Sequence, residues 1–232
     1  MRRRWIAAAL LAASAPAALL FAHDPLTRRV TWNGDVARIV QARCVRCHTE
    51  DGRGPMSLAT YEDARPWARA IREEVIARRM PKWHAARGYG EFRNDPSLSP
   101  FEIALVAAWA DGGAPRGPEV DVTSAEPAPA GAALPGPPEG KVRRRRISCG
   151  ARRLPPGRLL AFRPILEKGA SVGLGLRAKE GDQLVLGWIR HFDPEFPETY
   201  WLRTPIDITA GTVLVTDAAR PCAIELVFSA PR

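Results

Sequence analysis

Cys44-Val45-Arg46-Cys47-His48 is the stretch on which the reading of this chain turns. Two cysteines separated by two residues and followed at once by histidine form the attachment signature of c-type haem. The spacing has a chemical reason. Each thiol adds to one porphyrin vinyl group, and two intervening residues on a helical turn match the sulfurs to the vinyls. The next residue then brings its imidazole under the iron as proximal ligand. A redox CxxC or half a zinc ribbon would use the same cysteines. A ribbon needs a second CxxC, however, and the remaining cysteines, Cys149 and Cys222, stand alone. The stretch therefore predicts one covalent haem c, attached at Cys44 and Cys47 with His48 on the iron.

Upstream, Val36, Ile39, Val40 and Arg43 fall at i, i+3, i+4 and i+7, so a short helix is expected to run into the signature. Further back, Arg2-Arg3-Arg4 precedes an apolar run from Trp5 to Leu20 and then small residues. This is the pattern of an export signal over residues 1–22, and the run is short and alanine-rich for a membrane span. Export to the periplasm agrees with haem c and permits a disulfide. Membrane association is expected only if the signal segment stays uncleaved. The formal charge is +9, about +6 without Arg2, Arg3 and Arg4 of the signal; such a basic surface suits acidic redox donor and acceptor proteins, and no nucleic-acid motif accompanies it.

Downstream, residues 49–59 read as loop, and Pro66 opens a helix whose Trp67, Ile71 and Val75 make an i, i+4, i+8 stripe. Met80-Pro81 ends it. Ser99-Pro100-Phe101-Glu102 predicts a capped helix start, and Gly112-Gly113 its stop. A sixth iron ligand would come from Met80, His84 or Met56. Met56 lies only eight residues beyond His48, which leaves little chain to reach the far haem face. Met80 lies 32 residues on, at a helix end, and is the expected ligand, with His84 and Met56 as alternatives.

Residues 30–118 resemble a monohaem cytochrome c domain of large bacterial multidomain proteins, often placed ahead of copper monooxygenase-like modules. The matching text includes Pro55-Met56-Ser57-Leu58, Thr60-Tyr61-Glu62-Asp63-Ala64-Arg65-Pro66-Trp67-Ala68, Arg79-Met80-Pro81-Lys82-Trp83 and Trp109-Ala110-Asp111-Gly112-Gly113-Ala114-Pro115. The resemblance implies electron transfer and is consistent with Met80 on the iron.

Residues 119–140 gather Pro127, Pro129, Pro135, Pro137 and Pro138 without apolar period and read as a stiffened linker. From Ile147 onward short apolar runs alternate with turn signals such as Lys168-Gly169 and Ala210-Gly211, as in an antiparallel β-sandwich. A Cys149–Cys222 disulfide is expected there, and it would close a loop of about 70 residues. Residues 155–228 resemble the C-terminal β-sandwich of copper type II, ascorbate-dependent monooxygenases, through Leu159-Leu160-Ala161-Phe162-Arg163-Pro164 and the 193–200 stretch. Where that family carries a His-Met-His copper triplet, this chain has Ile165-Leu166-Glu167, so no copper is expected. His191 reads as a strand-end surface residue.

The expected plan is thus α+β and multidomain. A signal peptide (1–22) precedes a small all-α cytochrome c domain (23–118), the linker (119–140) and an antiparallel β-sandwich domain without copper ligands (141–232). The expected function is an exported electron carrier with the sandwich as a docking or scaffold module. The alternatives are an electron-delivering subunit of a copper monooxygenase-like enzyme, or a peroxidase-like enzyme with an open distal site.

Overall fold

The computed structural model describes residues 29–119, 140–179, 181–218 and 221–229. The expected signal segment 1–22 lies outside the described residues, as does the expected proline-rich linker apart from its two ends. Among the described residues no helix is long and apolar enough to cross a membrane.

A π-turn at Trp32–Val36 leads into α1 (Ala37–Arg43), so the expected helix starts one turn earlier and in a wider winding. Thr31 caps it by accepting from the Gly34 amide. Next comes α2 (Tyr61–Ala64), whose start is closed by a reciprocal Thr60–Asp63 capping box. A 3₁₀ turn at Arg65–Trp67 joins it to α3 (Ala68–Ile76). The helix α4 (Pro100–Asp111) begins as Ser99 and Glu102 predict: each side chain accepts from the other's backbone N–H. These helices pack Val36, Val40, Leu58, Val75, Val106 and Trp109 into one small core. Trp109 is fully buried, and its indole N–H donates to the Pro115 carbonyl at 3.1 Å.

Eight strands follow: β1 (Val142–Ser148), β2 (Arg152–Arg153), β3 (Gly157–Leu166), β4 (Val172–Arg177), β5 (Gln183–Ile189), β6 (Tyr200–Ile208), β7 (Val213–Thr216) and β8 (Cys222–Ser229). They form two antiparallel sheets of four, ordered β1-β8-β3-β6 and β2-β7-β4-β5. Between the sheets Leu159, Phe162, Leu174, Ile189, Leu214 and Leu226 make the larger core. The disulfide Cys149–Cys222 is formed, with Cα atoms 5.4 Å apart. It ties the end of β1 to the start of β8.

The expected plan of a small all-α domain followed by a sandwich is corrected here. The described residues are mostly β, the helices are short, and the stretch after Met80 is built into the sheets. β5 and β6 are free edges on the same side of the two sheets. Residues 84–93 cover both. The Ala86 amide donates to the Trp188 carbonyl and that of Arg190 to His84, while Arg93 donates to Trp201 and Arg203 to Glu91, at 2.7–2.9 Å. Ala85 and Phe92 thereby bridge to Ile189 and Leu202.

The physical reason is edge satisfaction: an open sheet edge leaves unpaired backbone groups, and this strap pairs them. Phe92 enters the sheet core, 5.8 Å from the Phe162 ring and 5.3 Å from Tyr200. At Gly90 (φ +80°) the strap approaches β5 so closely that a Cβ would lie 2.1 Å from the Leu186 carbonyl oxygen. Residues 84–95 hid this, because Gly88, Gly90 and Asn94 read as loop and the apolar residues among them follow no strand period.

Candidate haem site

The signature residues sit where α1 ends. Cys44 continues the last turn, its amide donating to Val40, and the amides of Cys47 and His48 both donate to the Cys44 carbonyl. This folds the pentapeptide into a tight turn with Cys44 and Cys47 both free thiols. Burial, reinforced by the nearby Cys47 and opposed by Arg43, pushes the Cys44 thiol up to about 12. A thiol–disulfide catalyst needs the opposite, a thiol acidified into thiolate.

His48 is held from behind. Its Nδ1 lies 3.1 Å from the Met56 carbonyl oxygen, which makes Nδ1 the protonated nitrogen and leaves the Nε2 lone pair free to ligate. The loop that supplies this carbonyl folds back on the signature: the Gly54 amide donates to Cys47 and the Leu58 amide to His48. A Cβ at Gly54 would lie 2.5 Å from His48 Nδ1, so glycine is required by this close approach.

Cys44, Cys47, His48 and Met80 all line one predominantly apolar cavity of about 1070 Å³, part of it open to solvent. Its walls are Leu58, Ile71 and Val75 from the helical side, with Pro81 and Pro96 from the loop. Of the alternative ligands, Met56 also lines this cavity, and its backbone carbonyl, not its sulfur, bonds His48. His84 is not on that wall; it lines a separate cavity behind the Met80 loop. His191 is exposed at the end of β5.

Two wall residues come from the loop between β5 and β6, and sequence reading missed both. Phe196 closes one side and carries Lys82 Nζ 5.6 Å above its ring. Glu198, only 16% exposed, pairs with Arg46 at 3.3 Å and Arg53 at 3.7 Å. Arg46 lies inside the signature itself, so this carboxylate ties the sheets directly to Cys44-Val45-Arg46-Cys47-His48. No local sequence signal marks the pairing, since the partners are 152 residues apart.

The residues present fit a haem of the c type. Two unpaired thiols, one imidazole with a fixed tautomer and the thioethers of Met56 and Met80 share an apolar cavity of ligand-binding size. Among the described residues no group of three or more His, Cys, Asp or Glu is assembled to hold a bare metal ion. The chain matches no family model, and no curated protein matches it.

Proposed function

We propose that this protein is an exported electron carrier with one covalently held haem c. The observation that supports it most is the convergence of Cys44, Cys47, His48 and Met80 on a single apolar cavity. When bound, the haem supplies one-electron chemistry between ferric and ferrous states. Cys44 and Cys47 hold the porphyrin, and His48 offers Nε2 to the iron because Met56 fixes its other nitrogen. Met80 offers the thioether, whose soft sulfur favours the reduced state and raises the potential. Leu58, Ile71, Val75 and Phe196 keep water from the cavity, which also raises the potential by penalising the more charged ferric state.

Donor and acceptor are read as proteins outside the cytoplasm, and the formal charge, about +6 once Arg2, Arg3 and Arg4 leave with the signal segment, favours acidic ones. An open distal site of the peroxidase kind is less well supported, because Met80 stands on the cavity wall. In this reading the sheets do more than dock a partner: they anchor the Met80 loop and complete the wall.

A spectroscopic redox titration of the haem-loaded protein tests this. Met80→Ala is expected to lower the potential strongly and abolish the ferric methionine–iron charge-transfer band. An unchanged band and potential would remove Met80 as the ligand.

A further inference from the structure

Behind the Met80 loop lies a second cavity, of about 1290 Å³ including its open mouth. Val75, Met80, Pro81 and Lys82 line both cavities, so this loop is the partition between them. The second cavity is cationic. Arg78 and Lys82 enter it from the loop, Arg87 from the strap and Arg190 from the end of β5, while Asp193 is the one carboxylate on its wall. Arg79 also reaches it but is held by Glu74 at 2.8 Å. The other four cations have no ion-pair partner among the described residues, although Arg87 donates to the Leu98 carbonyl, Arg190 lies over the Trp188 ring and Lys82 over the Phe196 ring.

Gathering like charges around a concave wall costs stability unless a counter-charge is recruited, and the concavity focuses the potential that recruits it. His84, 8% exposed on the same wall, has an Nδ1 with no hydrogen-bond partner among the described residues. Arg78 (φ 54°) and His191 (φ 48°), both on this wall, are held in the left-handed region that non-glycine residues avoid. At Arg78 this is the close of α3, where the Arg78 amide donates to Val75 and that of Arg79 to Glu74.

We infer that this cavity is a binding site for a small multivalent oxyanion of the phosphate class. Guanidinium groups prefer such ligands because one oxyanion accepts from several N–H donors at once, which chloride cannot do. A small ligand is favoured over an acidic protein surface because the cations converge from three stretches onto a recess. An anion bound there lies across the Met80 loop from the candidate haem cavity, but its binding requires no haem signal to detect.

Calorimetric titration of the full chain with inorganic phosphate, at ionic strength held constant with chloride, tests the site. Saturable one-to-one binding is expected, weakened at least tenfold by Arg78→Gln combined with Arg190→Gln. Neither residue lines the haem cavity. Arg145→Gln, an exposed charge on β1, is expected to leave the affinity within twofold. Non-saturable heats, or an equal loss in Arg145→Gln, would overturn the site. A response to polyglutamate but not to phosphate would also overturn it, in favour of an acidic-protein surface.

Discussion

The helical region and the paired sheets solve the same problem of stability in different ways. The sheets own a continuous core, closed on one side by the 84–93 strap and tied across β1 and β8 by Cys149–Cys222. The helical region has helices of only 4 to 12 residues, too short to persist alone, around a small core beside the candidate haem cavity. One region has a core of its own; the other, under the proposed function, holds the haem. The contrast teaches why they are interlocked: the strap and Glu198 lend the rigidity of the sheets to the loop that carries Met80.

The comparison can be broken most forcefully at the disulfide. Cys149→Ser with Cys222→Ser is expected to cost the sheets about 4 kcal/mol by the chain-entropy relation, read as a lower urea midpoint. Hydrogen exchange in α4 should change little. Equal loss of protection in α4 and β3 would mean that the two regions unfold as one unit.

Phe92→Ala comes next, with an expected loss of roughly 3 kcal/mol as a buried aromatic leaves the sheet core. This variant should also loosen Met80, because the strap runs directly from it. A shifted methionine–iron band in Phe92→Ala is the expected signature; an unperturbed band would show that the strap does not position the ligand.

Much of this was legible in the chain. The pentapeptide, the Ser99–Glu102 cap and the strand runs from Leu159 onward carry local signals of period and spacing. Cys149 and Cys222 could be paired from their solitude in an export context. The role of residues 84–93 was not legible, because edge pairing uses backbone groups and leaves no side-chain pattern. Nor were Phe196 and Glu198, which reach the cavity only after the sheets have formed. The expected fold class was overturned for this reason: the described residues are mostly β, and the contacts that build the 84–93 stretch into the sheets are long-range and carried by single residues.

Glu198→Gln is the gentlest probe. Its carboxylate is mostly buried but its arginine partners are part-exposed, so about 1 kcal/mol is expected. High salt should produce the same loss in the wild type and none in the variant. A salt response of equal size in both would mean that this pair does not join the sheets to the signature.

The central claim is that Cys44 and Cys47 hold one haem covalently. Protein matured in a haem-c-competent host should be treated with acidified acetone and its haem measured as the pyridine complex. One haem per chain that resists extraction, and is lost in Cys44→Ser with Cys47→Ser, is the predicted result. Extractable haem, or none, in the wild-type protein from that host would contradict the account.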